Sequence, residues 1–314
     1  MRILSSTGND ELARVFVAEL DDGARIELVE SVQPPRPRSD KWVLIVSTLR
    51  GCPVGCAFCD AGGHYRGRLS AEEILAQVEF LVRRRHPDGR VPARMLKVQL
   101  ARMGEPALND GVLDALEALP TRIDAPGLLP SLSTVAPWGR DRFFERLLDI
   151  KQRHYPGGRF QLQFSLHTTD EALRRRVVPI RTWGLERIAA YGTRFHAPSD
   201  RKITLNFATA RGWSLDPDAL LPLFSPEHFL IKLTPVNPTR SAQAAGLQPL
   251  LDPDDPARCQ ALADRFAEHG YHTLISIGEL EENQIGSNCG MYLSAAPTPR
   301  PRRHPHPPIA RSSP

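Results

Sequence analysis

Cysteine is scarce in this chain, and most of it stands in one place. Of five cysteines in 314 residues, Cys52, Cys56 and Cys59 fall within IVSTLRGCPVGCAFCDAGG (45–63), while Cys259 and Cys289 stand apart. No fourth thiol lies near the trio, and no second Cys or His pair has the spacing of a four-ligand zinc site. An odd count, with two thiols three positions apart, makes a poor set of disulfide staples. The opening MRILSSTGND lacks the apolar stretch of a secretory signal. No apolar run approaches the ~18 residues of a membrane span. A cytoplasmic protein with no membrane partner is therefore expected. Its thiols would stay reduced, and clustered thiols there point to metal or catalysis. Thiolate suits iron, and an iron–sulfur cluster can leave one iron to a non-protein ligand.

Acid is lacking at the other end. The last twenty residues, AAPTPRPRRHPHPPIARSSP, carry Arg300, Arg302, Arg303 and Arg311 and no Asp or Glu. Setting those four charges aside brings the net +4 to zero, so the body is neutral and the basic pI belongs to the tail. That tail, 295–314, is Pro-rich and without apolar period, and is expected to be disordered. Within the body, Arg83-Arg84-Arg85 and Arg174-Arg175-Arg176 are local basic clusters, each open to reading as a solvent-facing helix end.

Residues 14–32 predict a hairpin, with Val15, Val17, Ile26 and Leu28 alternating about Asp22-Gly23. Beyond PPRPR (34–38), strand-like runs at 42–47, 95–100, 131–135, 160–166, 202–208 and 229–236 alternate with helical stretches. The clearest helix begins at Ser70, an N-cap with Glu73 closing a capping box. Six strands alternating with helices imply a parallel α/β sheet, either open or a partial barrel. Both place chemistry at the carboxyl ends of the strands. Cys52, Gly104-Glu105, Ser133, Ser165, His167 and Asn237 all fall at or near such ends.

The spacing Cys52-x3-Cys56-x2-Cys59, with Phe58 before the last cysteine, resembles the radical S-adenosylmethionine (SAM) superfamily. VQLARMGEPALN (98–109), LSTVAP (132–137), FSLHTTDEALRRRVVPI (164–180), KLTPVNP (232–238) and QIGSNCG (284–290) match, in order, segments of its adenosine C-methyltransferases, which act on ribosomal and transfer RNA. The resemblance covers about residues 25 to 293. It implies a partial (β/α)6 TIM-like barrel at 41–294, here behind an N-terminal β-hairpin extension at 1–40. It implies a [4Fe–4S] cluster on Cys52, Cys56 and Cys59. It places Phe58, Gly104, Glu105, Ser133, Ser165, His167 and Asn237 around SAM, and requires an external one-electron reductant of flavodoxin or ferredoxin type. It makes Cys289 the cysteine that receives a methyl group from one SAM, and Glu30 a proton acceptor. In the family a second SAM supplies a radical that joins this methyl carbon to an sp2 ring carbon. A further cysteine then releases the product.

That releasing cysteine lies seven residues before the cluster in the family, and here the position is Ile45. Isoleucine forms no disulfide. Cys259, in phase with Leu262 and Phe266, reads as helix packing instead. The family usually carries a helical RNA-engaging domain ahead of the barrel, whereas about forty residues precede the first strand here. With a neutral body, these departures favour a small-molecule or nucleoside-like heterocyclic substrate. RNA adenosine methylation is the alternative, and a non-catalytic iron–sulfur protein the third reading.

Overall fold

The computed structural model describes residues 1–63, 65–278, 280–287 and 291–295. Most of the chain's strands form one sheet, in the order β1 (Arg2–Gly8), β2 (Ala13–Glu19), β3 (Arg25–Val32), β4 (Trp42–Val46), β7 (Leu96–Leu100), β8 (Leu128–Thr134), β9 (Gln161–Ser165), β10 (Ile203–Thr209), β11 (Phe229–Pro235) and β12 (Thr273–Ile275). A two-stranded ribbon, β5 (Leu49–Arg50) with β6 (Gly67–Arg68), brackets the thiol loop. From β1 to β4 the pairing is antiparallel, and from β4 to β12 it is parallel.

The helices alternate with the parallel strands: α1 (Ala71–Arg85), α2 (Gly111–Arg122), α3 (Asp141–His154), α4 (Glu171–Val177), α5 (Leu185–Phe195), α6 (Pro217–Leu220), α7 (Arg240–Ala244) and α8 (Pro256–Ala267). Two short helices, α9 (Leu280–Ile285) and α10 (Tyr292–Ala295), follow β12. Helix α1 begins as expected: Ser70 caps Glu73 N, and the Glu73 carboxylate accepts the Ser70 amide at 2.8 Å.

Strand alternation assigns the two faces. Trp42, Leu44, Val46, Leu96, Val98, Leu162 and Phe164 join the core beneath the helices. Ile45, Gln99, Ser131, Ser133, Gln163, Ser165 and Asn206 take the opposite, concave face. Five strand spacings of about 4.8 Å would carry a flat sheet roughly 24 Å from β4 to β11. Yet the loop after β4 bonds the loop after β11, with Thr239 Oγ1 donating to Phe58 O at 2.9 Å. The parallel strands therefore curl into a partial TIM-like barrel.

Besides the β5–β6 ribbon, two strands of the large sheet go beyond the sequence reading. β12 is a short seventh parallel strand, and its three residues are too few to show a period. β1 pairs along β2, so the hairpin is the inner part of a three-stranded antiparallel extension. Its sequence, RILSSTG, is largely exposed and offers little apolar alternation. The tail from 296 onward lies outside the described residues.

Candidate active site

The thiol loop leaves the carboxyl end of β4 and is held on three sides. Ala57 N donates to Val177 O of α4 at 3.0 Å. Asp60, directly after Cys59, accepts Ser241 N at 2.9 Å and Ser241 Oγ at 2.8 Å, tying the loop to the start of α7. Asn109 donates to Thr48 O (2.8 Å) and Leu69 O (2.7 Å), gathering the loop's two flanks against the turn after β7. Asp60 and Asn109 stand within segments 45–63 and 98–109, yet nothing in the sequence marks their side chains as anchors.

Cys52, Cys56 and Cys59 are partly buried and unoxidised. Backbone N–H groups of Val54, Glu105 and Gly55 favour the Cys52 thiolate, but burial outweighs them and pushes the thiol up to about 11. Cys56 is pushed up by burial and then by the charges of Cys59, Cys52 and Glu105. The three sulfurs and Glu105 therefore share one electrostatic neighbourhood. Among the described residues no three His, Cys, Asp or Glu side chains are placed to share a single metal ion. A cluster does not ask that of them, since each thiolate binds its own iron. Three mutually repelling thiolates also fit a polycationic iron core, which removes the penalty that holds the protons on. The donor set thus suits a [4Fe–4S] cluster.

Glu105 stands opposite. Its carboxylate accepts Thr134 Oγ1 (2.5 Å), Ala107 N (3.0 Å) and Val135 N (2.9 Å), bracing the turn after β7 against the end of β8. Burial still raises it to about 7. Gly104 has φ 102°, and a Cβ there would stand 2.6 Å from the Leu49 side chain and 2.9 Å from its amide nitrogen. Both features explain the Gly-Glu pair as a corner only glycine turns.

His167 follows β9 in the left-handed region at φ 69°, uncommon for a residue other than glycine. Its Nδ1 accepts Ala208 N at 3.2 Å, and burial followed by the Arg174 charge lowers its pKa to about 3. A neutral ring accepting at Nδ1 carries its proton on Nε2. Phe58 meets this ring edge-on at 4.6 Å between centroids and Trp213 at 5.9 Å. Ser133 and Ser165 lie on the concave face at the ends of β8 and β9, and Asn237 opens the loop that reaches Phe58.

Glu30 is not brought to this group. It lies in phase with Ile26 and Leu28 on the helix-side face of β3, buried, and pairs with Arg84 (3.0 Å) and Arg85 (2.7 Å) of α1. The alternation that buries Ile26 and Leu28 under α1 carries Glu30 with them. Those arginines are thus turned inward rather than to solvent. So is Arg174, which is buried and donates to Trp183 O (2.7 Å), Val135 O (2.9 Å) and Thr182 Oγ1 (3.0 Å); Arg175 and Arg176 are exposed. Ile45 pairs with Val29 and packs in an apolar cluster with Val15, Ile285 and Tyr292. Cys259 is buried in the core. Cys289 lies outside the described residues.

No family model matches the chain. Its sequence is 30% identical over 309 residues to the probable dual-specificity RNA methyltransferase RlmN of Frankia alni, covering 94% of this chain and 68% of that protein. It is 29% identical over 297 residues to the protein of the same name from Thermus thermophilus, covering 90% and 75%. A crystal structure of a radical SAM methyltransferase from Sphaerobacter thermophilus superposes with a TM-score of 0.70 at 22% identity, over 92% of this chain and 80% of that one. The chain is accordingly an enzyme of the radical SAM methyltransferase class. Within that class it belongs to the RlmN-type family. Its cofactors are those of the family, SAM and a [4Fe–4S] cluster, and the reading as a non-catalytic iron–sulfur protein is set aside.

Proposed function

We propose that this enzyme builds a C–C bond at an sp2 carbon of a compact, nucleoside-like heterocycle, with Cys289 as the methyl carrier. Cys52, Cys56 and Cys59 would hold the cluster, which supplies one electron to bound SAM when reduced by a flavodoxin- or ferredoxin-type donor. The Cys289 thiol would lose its proton to solvent and bond to the sulfonium methyl carbon. The broken bond's electron pair stays on sulfur, leaving S-adenosylhomocysteine. Glu105 is raised by burial, so a cationic amino group beside it would restore the carboxylate. His167 offers Nε2–H as a fixed donor, and Phe58 an aromatic wall. Gly104, Ser133, Ser165 and Asn237 line the same carboxyl edge. Residues 41–294 would form the catalytic barrel, 1–40 its extension and 295–314 a tail, in a cytoplasmic protein. Among the described residues no helix is long and apolar enough to cross a membrane.

The observation that carries this reading is the convergence of the thiol loop with Glu105, Phe58 and His167 at one strand edge. Anaerobic reconstitution with dithionite and SAM should yield both 5′-deoxyadenosine and S-adenosylhomocysteine. The Cys289 peptide should gain one methyl group in mass spectra. Deoxyadenosine alone, with Cys289 never methylated, would contradict the carrier role.

RNA is the second reading. Both relatives above are named RNA methyltransferases. An exposed Trp138 is stacked by Arg181 at 3.9 Å, beside a cleft of about 420 Å³ lined by Arg174, Arg175 and Arg181. Aromatic faces with arginine suit unstacked bases. Methyladenosine appearing in RNA on expression, and lost in Cys289→Ala, would favour it.

A further inference from the structure

The concave face holds a buried ion pair that no part of the proposed chemistry uses. Glu27 is fully buried and Arg102 is 6% exposed, and they meet at 2.6 Å. Glu27 is in phase with Val29 on β3, on the face opposite Glu30. Arg102 stands two residues before Gly104, its amide bound to Val46 O at 3.0 Å at the end of β4. A buried pair costs desolvation and stabilises little by itself, so its surroundings are the informative part.

Both partners reach the C-terminal segment. Arg102 Nη2 donates to Gly286 O at 2.8 Å, and Nη1 to Ser287 O at 3.2 Å. The second oxygen of Glu27 accepts Leu293 N at 2.8 Å. Tyr292 Oη adds a bond to Ile285 O at 2.5 Å. The contacts fall on either side of residues 288–290 in the sequence. We propose that Glu27 and Arg102 are a positioning pair: one ionic clamp that fixes both ends of the Ser287–Leu293 span against β3 and the Gly104 corner. The clamp holds Gly286, Ser287 and Leu293, the described residues on either side of 288–290. It is not a catalytic group, and it acts through whatever that span carries.

The inference rests on Cys289 as methyl carrier, as proposed above, for its activity readout alone. Glu27→Met/Arg102→Met removes both charges together, which leaves no orphaned ion and keeps the barrel folded. Hydrogen exchange at the Leu293 amide should then be faster than in the wild type. Methylation of Cys289 in a single turnover should slow by on the order of 10–100-fold, because small misplacements cost that much. Reductive cleavage of SAM to 5′-deoxyadenosine should persist. Arg102→Lys, which keeps the charge but not the fork, should fall between. Unchanged exchange at Leu293, or Cys289 methylated at the wild-type rate, overturns the clamp. If the wild type never methylates Cys289, the carrier reading fails by itself, and exchange alone judges the clamp.

Discussion

Two residues show how far one side chain's surroundings decide its chemistry. Lys97 on β7 points to the concave face beside Val43 and Leu129, where burial, then Lys232, Lys41 and Arg201, lower its pKa to about 7. The unfolded chain holds that proton to about 10.5, so between the two values the folded state binds fewer protons. The penalty is full below about 7 and fades as pH rises toward 10.5. Lys97→Met should therefore stabilise the protein by on the order of 1–3 kcal/mol at pH 6 and by far less at pH 10. Urea unfolding at both pH values checks this, and an equal gain at both would contradict it. Gly104 is the second case. Its positive φ and the nearness of Leu49 leave no room for a methyl group, so Gly104→Ala should cost roughly 1–3 kcal/mol in the same measurement. An unchanged midpoint would show that the corner relaxes freely. Glu30 was legible in principle, since its phase with Ile26 and Leu28 is written in the sequence. What the sequence did not show is that α1 would cover that face with Arg84 and Arg85.

Among the elements, α4 holds one side of the thiol loop, as α7 holds another. Its Val177 carbonyl takes the Ala57 amide, and Arg174 fastens it to β8's exit and to Thr182 and Trp183. Burial lowers the Arg174 pKa to about 10, so the guanidinium stays charged at neutral pH. Arg174→Met leaves three acceptors without their donor, at about 1–3 kcal/mol. The expected outcome is a lower melting temperature and less iron retained after desalting; both at wild-type levels would show that α4 does not support the loop. Elements were the easiest scale to read from sequence. The six longer parallel strands show as short segments with apolar residues at alternate or successive positions, and α1 announces itself by its capping box. β12 escaped because three residues show no period, and β1 because an exposed edge strand needs no apolar alternation. The inward turn of Arg174, against the exposure of Arg175 and Arg176, follows from helical phase and needed the neighbouring β8 to be visible.

At the scale of the whole molecule, one sheet joins an antiparallel extension to a curled parallel barrel, and the N-terminal strands meet α9 and α10 there. α9 packs on β2, and α10 on β3, so the C-terminal segment closes over the N-terminal strands. Sequence spacing identified the thiol loop and the strand-end residues. It could not show that the side chains of Asp60, Asn109, Glu27 and Arg102 do the holding. Their roles depend on contacts between segments tens to hundreds of residues apart. The central claim is that three thiols carry a cluster whose remaining iron is open to SAM. The most direct test is the electron paramagnetic resonance spectrum of the reduced, reconstituted protein with and without SAM. A changed spectrum on adding SAM is predicted, lost when Cys56 is replaced by alanine. A reduced cluster whose spectrum does not respond to SAM would contradict it.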